Sequence, residues 1–162
     1  MDELFSFPNP VNEVSARLVA AGVVILCIVT IAFDQPWLTL VLAYDFVARV
    51  LSGPTLSPLG QFVTRVVTPR VPFAPKLVAG PPKRFAQGMG ATLSVGAVIA
   101  YFGFGSAIAA FVLVGLIVVA ATLESVFGLC LGCKAFAVLI RLGVVPEEVC
   151  ERCNNIWSSE AA

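Results

Sequence analysis

The chain has 162 residues, 59% of them hydrophobic and only 12% charged, with a mean hydropathy of +0.96, a composition that excludes an ordinary soluble domain and points to lipid as the main solvent. Zero formal net charge and the absence of histidine leave no basic footprint for nucleic acid and remove histidine triads and HExxH zinc sites together.

Residues 1–12 carry Asp2, Glu3, Pro8 and Pro10 and no basic cluster, so the first hydrophobic run reads as a retained span and not as a cleaved signal peptide. That run, Val14 to Phe33, has Arg17 as its only charge and is long enough to cross a hydrocarbon core of roughly 30 Å. A turn at Asp34-Gln35-Pro36 leads into a shorter run, Trp37 to Leu51, which holds Asp45 and Arg49. Snorkelling at its end, or a tilted and partly reentrant path, is needed to complete that crossing. The next 33 positions, 52–84, contain seven prolines and cannot form one continuous helix. Within them Leu59 to Val67 reads either as a short interfacial helix or as a packed loop with basic anchors. Phe85 to Phe104 and Ala107 to Phe127 follow, separated only by Gly105 and Ser106, and predict an antiparallel hairpin.

The expected fold is an all-α polytopic bundle of four transmembrane helices over residues 1–128, with a short cysteine-rich cytoplasmic segment over 129–162. An even number of spans places all ten Lys and Arg residues on one side. The positive-inside rule then sets both termini in the cytoplasm and the protein in a cytoplasmic membrane.

Asp45 and Arg49 stand four apart with the acid first, the favourable helical order for an ion pair, and each is expensive alone in lipid. Glu124, near the inner end of the last span, is a candidate partner for Arg17 or Arg49, or an influence on nearby cysteines. Gly88, Thr92, Gly96 and Ala100 form a small-residue stripe for close helix approach, either inside the bundle or between copies in a homo-oligomer. Cys27 reads as a small buried hydrophobe.

The other cysteines form two CxxC pairs, Cys130/Cys133 and Cys150/Cys153, with sixteen residues between them. Four thiolates at this spacing suit a zinc tetrahedron, and an iron–sulfur cluster is compatible with the same pattern. A helix expected over Lys134 to Leu142, ended by Gly143, favours thiolate at the first pair. Pro146, Glu147 and Glu148 read as another helix start, which would put Cys150 and Cys153 on one face.

Three phrases, Phe7 to Glu13, Pro81 to Ala86 and Gly128 to Lys134, together resemble the DUF4395 family of small bacterial membrane proteins. The resemblance implies a thioredoxin-like or rhodanese-like soluble partner and a setting in thiol or sulfur handling, with Cys130 and Cys133 matching the family's cysteine motif. Three functions therefore stand as expectations. One is a thiol-redox or sulfur-relay component using Cys130 and Cys133. The second is a noncatalytic scaffold holding zinc through Cys130, Cys133, Cys150 and Cys153. The third is a small-solute transporter built on Asp45, Arg49 and Glu124. No nucleophile–base pair outside the cysteines and no phosphate-binding glycine loop supports an enzyme assignment.

Overall fold

Helix α1, Glu13–Ala32, starts where Asn12 accepts the Val14 N–H at 3.0 Å, supplying one of the partners that a helix N-terminus lacks. The structure is a computed structural model and describes residue 7 and residues 9–146. At Asp34 the backbone turns left-handed, with φ of 49°, a conformation aspartate tolerates better than most residues. Helix α2, Leu38–Ser52, follows. Its fifteen residues give a length of about 22 Å, short of a full hydrocarbon core.

The proline-rich connection is built of several short pieces. Strand β1, Val11–Asn12, pairs antiparallel with strand β2, Leu77–Val78. Beyond the pair, the Glu13 N–H donates to the Lys76 carbonyl at 2.7 Å and the Gly80 N–H to Asn9 Oδ1 at 3.0 Å. This clasp holds the start of α1 beside the start of the helix that begins at Gly80. Helix α3, Pro58–Phe62, opens into a wide π turn, Val63–Val67, and a 3₁₀ turn, Thr68–Arg70. The expected stretch at Leu59 to Val67 is thus helical but two-sided. Val63 is buried while Phe62 and Val66 are exposed, and Leu59 packs on Gly22 of α1.

Helix α4 runs Gly80–Val98 and continues through a π turn, Ile99–Gly103. The expected start at Phe85 is corrected by one turn and more. Pro81 and Pro82 fall in the first helical turn, where their missing N–H groups have no intrahelical acceptor to lose. Helix α5, Ala107–Phe127, has the bounds its sequence suggests. Gly128, at φ 67°, ends it in the left-handed cap that favours glycine. Helix α6 spans Leu131–Arg141 and not Lys134 to Leu142, because Cys130 caps it and Cys133 lies inside its first turn.

The protein is mainly helical, and among the described residues three helices, α1, α4 with its π turn, and α5, are long and apolar enough to cross a membrane. Val23, Cys27, Leu42, Phe46, Ala97, Val114 and Ile117 form the core between them. The outward faces are apolar too: Ile25, Ile28, Ile99, Phe102, Ile108, Val112, Leu116 and Val119 are all exposed. A bundle apolar on both faces is matched to a bilayer and not to water.

Candidate functional site

The start of α1, the end of α2, the start of α4 and the end of α5 meet at one end of the bundle. Arg17 donates to the Ser125 and Val126 carbonyls, with its shortest bond at 2.9 Å, and Arg84 Nε donates to the Val50 carbonyl at 2.9 Å. Most of the chain's described cations therefore crowd one end, while Asp34 and Ser106 lie at the turns of the other.

The Cys130/Cys133 pair sits at this basic end. Gly128 turns the chain out of α5, and α6 then docks on α4 through Gly132, where an added Cβ would lie 2.4 Å from the Ala86 Cα. Phe136 meets Phe85 with ring centroids 5.6 Å apart and fixes the rest of the helix. Cys130 is buried and Cys133 half-buried. The Cys133 N–H donates to Cys130 Sγ at 3.3 Å, so the first cysteine does the capping work usually given to serine or aspartate. Both thiols line an open cleft of about 310 Å³ with Glu13, Pro82, Lys83 and Lys134.

A hydrogen bond from the Cys133 thiol holds the Cys130 thiol below the ordinary thiol range, with Lys83 and the Cys133 N–H reinforcing the shift and burial and Glu124 opposing it. The same shared proton, together with burial, pushes Cys133 up. Of the two thiols, Cys130 is therefore the one that ionises first.

Lys83 Nζ contacts Glu124 Oε1 at 2.6 Å, with both side chains largely buried. This corrects the expected pairing of Glu124 with Arg17 or Arg49: the clasp places Lys83 opposite Glu124 first, and Arg17 is taken by the two carbonyls. Glu124 also lines a hollow shared with Cys130 and Gly132, so its expected influence on the cysteines has a structural route. In the sequence Lys83 is one of ten cations set on a single side, with no partner assigned. Its position beside Pro81 and Pro82, inside a phrase that carries the family resemblance, was the available signal.

Asp45 and Arg49 form the ion pair their spacing suggests, with Oδ2 and Nη2 2.6 Å apart. Arg49 does not snorkel. It is 5% exposed, its guanidinium lies 4.4 Å from the Phe46 ring centroid, and Asp45 is 2% exposed. The Ser57 hydroxyl donates to Asp45 Oδ1 and itself accepts the Gly60 N–H at 2.8 Å, so the start of α3 helps solvate the acid. Phe46 can sit there because Gly90 of α4 has no side chain; a Cβ would fall 2.2 Å from the ring. In the expected small-residue stripe, Gly96 faces Leu113 but Gly88 meets nothing within 4 Å. The tight approaches fall at Gly90 and Gly132 instead.

Cys27 is fully buried in the core, as expected. Cys150 and Cys153, and the helix start expected at Glu147 and Glu148, lie outside the described residues. Among the described residues no group of three His, Cys, Asp or Glu side chains is placed to hold a metal ion.

With this geometry in place, the comparisons assign the chain to a family: it belongs to the family described as Domain of unknown function (DUF4395), whose match covers residues 11–141. No curated protein and no solved structure matches it.

Proposed function

We propose that this DUF4395 protein is a four-span membrane protein whose Cys130/Cys133 pair exchanges thiols and disulfides with a soluble thioredoxin-like or rhodanese-like protein at the cytoplasmic face. The carrying observation is the Cys133 N–H bond to Cys130 Sγ at the start of α6, in a cleft that opens outward beside Lys83 and Lys134. A helix N-terminus and nearby ammonium groups are what a nucleophilic thiolate needs. Helix α2 supplies the fourth span, with the α3 segment packed beneath its inner end. An even span count leaves the basic end inside. Residues 129–162 then form the cytoplasmic segment.

The exchange is a two-electron transfer. The Cys130 thiolate attacks one sulfur of the partner disulfide, forming a mixed disulfide and releasing one partner thiolate. Cys133 loses its proton and attacks Cys130 Sγ, which closes the intramolecular disulfide and releases the second partner thiolate. The partner is reduced and the protein oxidised; the reverse sequence reduces the protein.

Reduced Cys133→Ser protein, incubated with oxidised glutathione or an oxidised thioredoxin, is expected to retain an adduct on Cys130 that intact mass detects, whereas Cys130→Ser protein reacts far more slowly. Absence of any adduct on either variant contradicts thiol exchange. A zinc site using Cys130, Cys133, Cys150 and Cys153 is the competing use of the same thiols, and metal analysis of protein purified without chelator separates the two.

A further inference from the structure

Helix α6 crosses α4 instead of running along it. Gly132 docks on Ala86, and Phe136, a turn further on, meets Phe85, so a turn of α6 shifts the contact by one residue on the spanning helix. The helix therefore lies across the basic end of the bundle, roughly in the plane of the membrane. Its two edges meet different surroundings. On one, Cys133 faces the cleft walled by Val78, Ala79 and Pro82, where α4 begins. On the other, Leu131 shares a hollow with Met89, Leu93 and Ile117, which stand deeper in the bundle.

The sequence of α6 follows the same division. At 3.6 residues per turn, Leu131, Val138 and Leu142 fall within about 20° of one line, and Cys133 lies about 200° round from Leu131. All three apolar side chains of that line are exposed, Leu142 by 70%. Val126, Phe127 and Leu129, at the end of α5 and just beyond it, are exposed beside them, so the line continues the lipid-facing surface of the spanning helices. Lys134 and Arg141, seven apart and both exposed, flank it, and Leu131–Arg141 contains no acidic residue. An apolar line bordered by cations suits the boundary between acyl chains and anionic headgroups.

We infer that α6 is an interfacial helix that binds anionic phospholipid, with Leu131, Val138 and Leu142 among the upper acyl carbons and Lys134 and Arg141 on the phosphates. The edge bearing Cys133 then faces water at headgroup level. This placement uses the spanning bundle and not the reactivity of the thiols, so it stands or falls separately from the exchange proposed above.

The test is tryptophan quenching in the full chain, in nanodiscs of phosphatidylcholine and phosphatidylglycerol, with Val138→Trp as the reporter and Trp37→Phe and Trp157→Phe silencing the native signals. Leu142→Trp is the second reporter, and a retained helical melt qualifies each protein. Lipids brominated on the upper acyl carbons are expected to reduce emission about twofold, with aqueous iodide quenching little. Bromines carried only on phosphatidylglycerol should quench more than the same fraction carried only on phosphatidylcholine, and Lys134→Gln with Arg141→Gln should abolish that difference. Iodide quenching without bromolipid quenching at both reporters overturns the inference, as does iodide quenching relieved only by a soluble protein, which would make the line a protein-docking face. Equal quenching by the two brominated lipids overturns the selection of anionic headgroups.

Discussion

Gly132 stands between the two cysteines, and a methyl group there has backbone to meet: the Ala86 Cα would be 2.4 Å from it. Gly132→Ala is therefore expected to lift α6 from α4 and to lower the Tm of the detergent-solubilised protein, and Ala86→Gly cannot restore it. At Gly90 the nearest atoms to an added methyl group all belong to the Phe46 ring. Overpacking of this kind costs about 1–3 kcal/mol, and Phe46→Leu should recover much of it in the double variant. Asp45 and Arg49 behave differently because removing one partner strands the other. Asp45→Asn or Arg49→Gln should each cost about 3–5 kcal/mol, and the double variant should cost less than either. A double-variant loss equal to the sum of the two single losses would show that the pair is not coupled. At the thiols, a lowered Cys130 means that its alkylation by iodoacetamide already proceeds below the pH at which an ordinary thiol ionises. Cys133, being raised, gains reactivity only at higher pH. Cys133→Ala removes the thiol donor while keeping the backbone N–H, and should move the Cys130 alkylation profile upward; an unmoved profile would show that the Cys133 thiol does not lower Cys130.

The long helices were legible because hydrophobic runs and the Gly105-Ser106 turn mark their ends directly. Helix α5 keeps the expected bounds, and α1 shifts by one residue at each end. Misreadings fall where a local rule has an exception. Proline's missing N–H argues against a helix at Pro81 and Pro82, yet the first turn accepts them. Cysteine is an uncommon cap, so α6 was started after Cys133 and not at Leu131. The Asp45–Arg49 pair needed only spacing to be seen. Lys83–Glu124 needed the β1–β2 clasp, which joins residues more than sixty positions apart and leaves little periodic trace in two-residue strands. Gly90 and Gly132 were passed over because a helical glycine shows its purpose only when the opposing side chain is known.

At the scale of the molecule, the exposed apolar faces and the concentration of cations at one end describe a bundle set in a bilayer with one face basic. Four spans predict that, in spheroplasts, single reporter cysteines introduced by Gln35→Cys and Ser106→Cys react with an impermeant maleimide from outside, while Arg70→Cys reacts only after lysis. External labelling of Arg70→Cys would show that α2 does not cross. On the proposed four-span topology the thiol pair and the Lys83–Glu124 contact lie toward the inner face, where the proposed soluble partner would meet them. The most direct test of thiol exchange is a titration of the purified, reduced protein across glutathione redox buffers, with thiols and bound metal measured on the same samples by mass spectrometry. Reversible loss of two hydrogens within the peptide holding Cys130 and Cys133, with no metal bound, is the expected result. Thiols that stay reduced across the series, or about one zinc per chain with all four thiols protected, would contradict it.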